Sequence, residues 1–530
     1  MKAVDAATIK EAIEARWPGQ ASCTFDVSLR LNLARCERAS LAGLCREIFR
    51  EWGFAFAGLV VEEASAGWDL RYMFYGGAAE GWLHVLTSAP FDDAVVPSVA
   101  IAGVPAADWD EREAEDMYGV HFEGHPRLGD FILHDDAWQE GVMPMRRAFD
   151  AQAALRNRRP AEDWHPRRVV HEPGAFVMPV GPKFSGITES AHFLLETVGE
   201  DVIRTWTRLF YKWRAIEKLA EGRLFHDALA IAERFAATTA FAHGLAYCRA
   251  VESIARVDVP PRARLLRVFM AEIERLRHHA GSVQEICEST ALAVANAQAG
   301  MLEEEMLRIC GALCGHRYLF GLLRPGGMLC DLSGDACRRA LEDSRRVLER
   351  MDKLERMLRI SSSFLDRIEE VGFISPATAK LYSLLGPVAR ASGLARDLRR
   401  EQPYSGYEST RFEVAREEEG DGYARLRVLF FEARQSLGIM EQALAALEDG
   451  PVHASFSPGA GAALGWVEAP RGGTFHWVRL NDEGRVARYH VVTPSFVNWH
   501  SFHLAAEKFA FQDFPIILAT FDLSVAENDR

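Results

Sequence analysis

Residues 233–243 read ERFAATTAFAH, and the run continues as GLAYCRAVE to Glu252. Past the opening Glu233–Arg234 pair it is apolar on nearly every side until His243. A helix that is apolar all round is a central one, so the stretch predicts a buried helix over roughly 227–255. Its middle is filled with small residues (Ala236, Ala237, Thr238, Thr239, Ala240), which let a neighbouring helix or a bound group come close. The helical pattern extends on both sides, from about 196 to 450. Val202, Trp206, Leu209, Trp213, Ile216 and Leu219 recur at helix spacing. That predicts a helix carrying Arg214 and Glu217 three residues apart. Further helices are expected near 262–281, 286–316, 335–368 and 423–447. Strands return near the C-terminus in GWVEAPRG, FHWVRLN and RVARYHVV.

Before residue 150 the pattern is mixed. Phe25, Val27, Leu29, Leu31 and Leu33 alternate, predicting a half-buried strand over 24–33. Ser40 is placed to cap a helix that Gly53 ends, and strands are expected around 57–62, 69–75 and 82–87. In DWDEREAEDMYG the acids crowd a first helical turn and Gly119 stops it. Residues 151–178 are rich in Arg, Pro and His and read as a linker or strap. The expected fold class is α+β. A small α+β domain (1–150) and the linker (151–178) lead into a mainly α-helical domain (179–530) with β elements at its ends.

Composition narrows the function. A net charge of −14 over 530 residues argues against nucleic acid, because phosphate contact needs a basic face. No window approaches the ~18 apolar residues of a membrane span, and the N-terminus lacks the apolar core of a signal peptide. Nine cysteines without a C-x-x-C pair read as free thiols, and Cys310 and Cys314, one helical turn apart, read as core packing. GAGAALG (459–465) is followed by a strand rather than a helix, which rejects a dinucleotide loop. Glu274, His278 and His279 in EIERLRHH read as a solvated or interface face rather than a metal pair. Arg214 and Glu217 are either a surface pair or two inward charges that must be compensated.

Two sets of motifs carry a family resemblance. The first is ADWDEREAEDMYGVHFEGHPRLGDFILHDDAW with GVMPMRRAFD, which resembles the C subunit of complex I and of energy-converting hydrogenases. The second comprises GPKFSGITESAHF, YKWRAIEKLAEG, RPGG (324–327), GPVARASGLARDLRREQPYSGY, GDGYAR, VEAPRGG and PSFVN. These resemble the complex I D subunit and its relative, the nickel–iron hydrogenase large subunit. The fused arrangement is similar to the large subunits of formate hydrogenlyase and hydrogenase-4 complexes.

The resemblance implies a peripheral subunit of a membrane-bound respiratory oxidoreductase, on the cytoplasmic side of the inner membrane. Implied partners are an Fe–S small subunit, other peripheral-arm subunits and antiporter-like membrane subunits. In hydrogenases the opening stretch would read Arg-x-Cys-Gly-x-Cys-x-x-x-His. Here Arg234 and His243 keep their places while Ala236 and Thr239 stand at the cysteine positions. At the C-terminal motif Asp522 is kept, with Ser524 and Glu527 at the other two. A nickel–iron centre needs soft thiolates, so none is expected. Thr188 and Ala237 fall where complex I places its quinone histidine and tyrosine. By the same resemblance Arg214 lies beside a 4Fe–4S cluster held by the partner subunit, and Glu217 is a candidate magnesium ligand. His192, Arg214, Glu217, Arg234 and His243 remain the candidate site residues. The function implied is coupling of electron transfer to the membrane arm without a nickel–iron centre. Two alternatives stand beside it: a quinone oxidoreductase or hydrogenase catalytic subunit, and a structural scaffold.

Overall fold

The computed structural model describes residues 6–27, 29–139, 141–156, 170–171, 173–183 and 189–530. Helix α1 (Ala6–Arg16) precedes strands β1 (Ala21–Asp26) and β2 (Leu31–Cys36), helix α2 (Arg38–Arg46), and strands β3 (Ala55–Glu63), β4 (Gly67–Tyr75) and β5 (Trp82–Pro90). The strands form one sheet ordered β1-β2-β5-β4-β3, in which only β2 and β5 run parallel. The strand expected over 24–33 is therefore a hairpin. Asp26 Oδ1 accepts the Leu29 N–H at 3.2 Å and Arg30 is left-handed (φ 49°), so the chain turns where simple alternation predicted continuity. Ser40 is not the cap of α2. Glu37 takes that place, and Ser40, buried in the first turn, donates to Gln20. Helix α3 (Asp108–Tyr118) forms as expected, with Asp108, Asp110 and Glu111 in its first turn and Gly119 left-handed at its end.

Of the expected linker, Ala151–Arg156 is helical and 157–169 falls outside the described residues. Strands β6 (Ala175–Val180), β7 (His192–Val198) and β8 (Asp201–Arg208) then make an antiparallel sheet. The helix expected through Val202 and Trp206 is thus a hairpin strand. Val198, Val202, Ile203, Thr205 and Thr207 are β-branched and suit a pleated surface, and this outweighs an apolar spacing that fits both periods. Helix α4 is only Ile216–Ala220. Ala215 before it is left-handed (φ 55°), so Arg214 and Glu217 do not share a helix.

The helical body follows: α5 (Phe225–Arg234), α6 (Ala240–Ala255), α7 (Pro261–Ser289), α8 (Ala293–Cys314), α9 (Gly334–Arg359), α10 (Gly386–Ala391), α11 (Leu398–Glu401) and α12 (Gly422–Ala445). The helix expected over 227–255 is broken at 235–239. A three-stranded antiparallel sheet, β9 (Gly461–Ala469), β10 (Gly472–Leu480) and β11 (Val486–Val492), packs against α6. At the crossing a Cβ on Gly465 would lie 1.9 Å from Ala246 O, so only glycine allows this approach. Helices α13 (Pro494–Ala505), α14 (Phe514–Phe521) and α15 (Val525–Asn528) complete the chain. GAGAALG runs into β9 and forms no loop-to-helix junction. All nine cysteines are free, Cys310 is buried, and the Cys314 thiol donates to Cys310 O. Among the described residues no helix is long and apolar enough to cross a membrane.

Two large apolar cores result. One joins α5–α9 and α12 with β9–β11. The other is shared between the first sheet and the later chain, where Leu59, Tyr72 and Trp109 pack with Phe193, Phe210, Phe496, Trp499 and Phe514.

Candidate functional site

The site is built on the break in the opening stretch. Between α5 and α6, Ala236 is extended (φ −130°, ψ 88°) and residues 237–239 make one tight turn. Helix α6 restarts because Glu274 of α7 caps it from outside. The Glu274 carboxylate accepts the N–H groups of Phe241 at 2.8 Å and Ala242 at 2.9 Å, which would otherwise be unpaired. Burial pushes this carboxyl up to about 7, against the pull of Arg277 and the two N–H groups. EIERLRHH is therefore an interior face, not a solvated one. His279 pairs with Glu432 at 3.0 Å, and His278 lies 3.5 Å from Asp522.

The C-terminal segment closes over the break. Helix α14 ends at a left-handed Asp522, and Ser524 caps α15 by accepting the Glu527 N–H. This points Glu527 inward with no exposure. Its carboxylate accepts from Thr239 Oγ1 at 2.9 Å and Ser495 Oγ at 2.5 Å. Arg471 lies at 3.5 Å and His243 Nε2 at 3.6 Å. Burial alone would raise its pKa, but Arg471, then His243 and Ser495, hold it down at about 2. Arg471 is itself anchored, donating to Asp522 O at 2.6 Å and Thr238 Oγ1 at 2.9 Å. His243 Nδ1 meets His476 Nε2 at 3.0 Å and the Phe235 ring lies against its imidazole, centroids 4.5 Å apart. Ala236 is buried behind this cluster, whereas Ala237 is exposed.

The structure thus brings Ala236, Thr239, Ser524, Glu527 and His243 together. It leaves Arg234 outside: that side chain is 54% exposed and its guanidinium lies over Phe320, so it does not mark the site as the motif implied. His192, on β7, meets the Tyr211 hydroxyl at 3.3 Å. Thr188 lies outside the described residues. Arg214 staples the break to the C-terminal segment, donating to the carbonyls of Phe235 (2.8 Å), Asp529 (3.1 Å) and Ala526. These acceptors are neutral, so its charge is not cancelled by a bonded carboxylate.

Glu217 belongs to a neighbouring buried cluster. It accepts the Val491 N–H at 2.9 Å, with His490 at 3.1 Å, Arg488 at 3.3 Å and Arg530 at 3.4 Å. One ligand atom each from Glu113, Glu217 and His490 lies within 4.8 Å of the others. Arg530, however, bonds Glu113 at 2.6 Å as well as Glu217. Two guanidiniums already supply the positive charge that a magnesium ion would bring. The residues at the Thr239–Glu527 cluster do not fit nickel either, since they offer no thiolate and the one carboxylate is fully engaged.

Residues 36–154 match the family described as respiratory-chain NADH dehydrogenase, 30 Kd subunit. Residues 299–457 and 452–530 match its 49 Kd subunit. Formate hydrogenlyase subunit 5 of Escherichia coli (strain K12) is 30% identical over 456 residues, which are 85% of this chain and 79% of that one. The chain belongs to this family of fused 30/49 Kd-type subunits. Hydrogenase-4 component G of the same organism is also 30% identical, over 86% of this chain and 79% of its own length. The membrane-bound sulfane sulfur reductase, an archaeal respiratory membrane complex, contains a chain whose fold is similar (TM-score 0.64, 24% identity). The match covers 68% of this chain and all of that one. Relatives in this family are thus subunits of membrane-bound respiratory complexes. Within the family frame, motif reading located VEAPRGG and PSFVN but did not show that Arg471 and Ser495 converge on Glu527. Glu274 was read only as part of a solvated or interface face, and His476 and Arg530 were missed altogether, because what makes all three important is a partner far away in sequence.

Proposed function

We propose that the chain is a peripheral-arm subunit that docks an Fe–S small subunit and couples its electron transfer to a membrane arm without a nickel–iron centre. The observation that carries this reading is the saturation of Glu527. At a position where the resemblance expects a thiolate, its carboxylate is satisfied by Thr239, Ser495, Arg471 and His243. A metal would have to break that set, and a buried carboxylate with good partners resists such a change. Arg214 is the residue through which a cluster in the partner would be felt, since a nearby cation stabilises the reduced form. The complex would sit at the cytoplasmic face of the inner membrane, held by antiporter-like membrane subunits. Elemental analysis of the purified complex tests the reading: nickel well below one per complex is expected, and stoichiometric nickel overturns it.

A scaffold role is the second reading, favoured by Phe235, whose ring fills space beside His243. The two separate on Glu527→Gln assembled into the complex. A coupling role predicts slowed turnover, and a scaffold predicts turnover unchanged at full assembly. Quinone reduction of the complex I type gains no support here, because Ala237 has no group to hold a headgroup.

A further inference from the structure

Away from the Thr239–Glu527 cluster, α7 carries a second buried charge network. Its members close a ring in which carboxylates and guanidiniums alternate. Glu272 meets Arg399 at 3.0 Å, Arg399 pairs with Asp397 at 2.6 Å, and Asp397 lies 3.8 Å from Arg390. Arg390 reaches Glu432 at 2.5 Å, Glu432 lies 3.7 Å from Arg275, and Arg275 returns to Glu272 at 3.3 Å. Three acids face three arginines, so the ring is neutral. Two groups hang from it: Glu468 of β9, 2.8 Å from Arg390, and His279 of α7, 3.0 Å from Glu432. None of these eight side chains is more than 3% exposed.

Burying a net charge is costly, so the two pendant groups must balance. Either Glu468 is ionised and His279 protonated, or both are neutral. Each form holds one proton, and the surroundings choose where it sits. Among the described residues His279 Nδ1 has no hydrogen-bond partner. An imidazolium would bury an unsatisfied N–H there, whereas the neutral ring needs only its Nε2–H, which Glu432 accepts. Glu432 favours a charge on His279 and Arg275 opposes one, and burial outweighs the pull of Glu432. On the other side, Glu468 faces Asp397 and Glu401, with Arg390 and Arg275 as its cations, and its Oε2 accepts the Leu398 N–H at 3.1 Å. Among the described residues Glu401 Oε2 is buried without a hydrogen-bond partner, and Arg396 is the cation beside that group. Hydroxyls complete the surroundings. Tyr407 donates to Glu272 at 2.5 Å, and Tyr404 accepts the Glu468 N–H at 2.9 Å. Glu272 and Asp397 are thereby fixed as anions, whereas Glu468, with Arg390 as its one guanidinium partner and the Leu398 N–H on its other oxygen, has fewer cationic partners than any of the three ring acids. Burial and then Asp397 push its pKa up, and burial pushes that of His279 down.

We propose that this ring is a proton-binding site: Glu468 carries a proton at neutral pH, His279 is neutral, and loss of the proton leaves one net negative charge in the core. The site touches the candidate functional site through α7. His278, the residue before His279, contacts Asp522, which pairs with Arg471 beside Glu527. A proton held by the ring is therefore placed to compensate a charge change at that cluster.

Infrared spectroscopy of the full chain tests this. Infrared difference spectra at pH 7 are expected to show that Glu468→Gln loses one buried protonated-carboxyl band while keeping those of Asp110 and Glu274, and that Glu527→Gln loses none. Glutamine is isosteric with the neutral acid, so Glu468→Gln should keep its thermal midpoint at pH 7 within about 2 °C. A raised carboxyl gives stability that is complete below its unfolded pKa and is lost as pH rises through the folded one. Wild type should accordingly weaken relative to Glu468→Gln on the alkaline side. Two results overturn the proposal: no protonated-carboxyl band lost in Glu468→Gln, or a Glu468→Gln chain that loses much stability or fails to fold. The last would show an ionised Glu468 paired with Arg390.

Discussion

Glu527 shows how one side chain can close a site. Its carboxylate is buried, with its pKa held at about 2 against an ordinary 4.5. A depressed pKa means stability that is present above the unfolded pKa and lost as pH falls through the folded one. Glu527→Gln should therefore cost roughly 3 kcal/mol at pH 7, with the difference from wild type shrinking between about pH 4.5 and pH 2. Urea denaturation across that range measures it, and a deficit independent of pH would contradict the charge argument. Arg214 makes a different kind of prediction. Replacing it with Met removes a cation whose bonded partners among the described residues are carbonyls, and the proposed docking of an Fe–S subunit then predicts a cluster harder to reduce in the assembled complex. An unshifted redox titration would remove its electrostatic role. Sequence motifs placed Thr239, Ser524 and Glu527 at former metal-ligand positions beside His243, and the structure brings the four together. The motifs could not show that Glu527 is satisfied, because Ser495 and Arg471 arrive from other parts of the chain. Arg234 was misplaced for the converse reason: its motif position says nothing about which way a residue at a helix end points.

At the scale of elements, the long helices and α3 were legible because periodicity, acidic first turns and a stop glycine agree. The misreadings came where one pattern fits two periods. Val202 and Trp206 satisfy helical spacing, yet β-branched neighbours and the turn at Gly199 make a hairpin. The break at 235–239 has no local stop signal, since its cause is Glu274 on another helix. Glu274→Ala should leave the Phe241 and Ala242 N–H groups buried and unpaired, at a cost of roughly 2–4 kcal/mol. Hydrogen exchange in the first turn of α6 should rise before global unfolding; protection unchanged there would show that α6 needs no outside cap. Gly465→Ala tests the packing of α6 on β9 more severely. With a backbone oxygen 1.9 Å from the new Cβ, the strand must move away from the helix, and loss of soluble full-length protein is the expected readout.

Across the whole molecule, the two segments inferred from sequence share apolar clusters. The first sheet buries Val60, Met73, Tyr75 and Trp82 with Leu464, Phe475 and Trp477, Trp109 packs on Phe210 and Phe496, and charged contacts cross the same boundary. Arg530 bonds Glu113, Arg479 bonds Glu62 at 2.6 Å, and Arg488 donates to the Tyr118 hydroxyl. Sequence could mark where the pattern changes near residue 150, but a shared core is a property of tertiary contact and leaves no periodic trace. Asp110 lies in this junction, fully buried, its pKa raised to about 8 by burial and by Glu113. Its raised pKa means that stability is complete below the ordinary carboxyl range and lost as pH rises through about 8. Asp110→Asn should flatten that alkaline decline without lowering stability at neutral pH. A common core also makes unfolding cooperative, because separating the segments would expose both apolar faces at once. Calorimetry of the full chain should therefore show a single transition, and residues 179–530 expressed alone should aggregate through the faces that Tyr75, Trp82 and Trp109 cover. Two resolved transitions, or a soluble and folded 179–530 fragment, would show that the junction is a docking surface rather than a core.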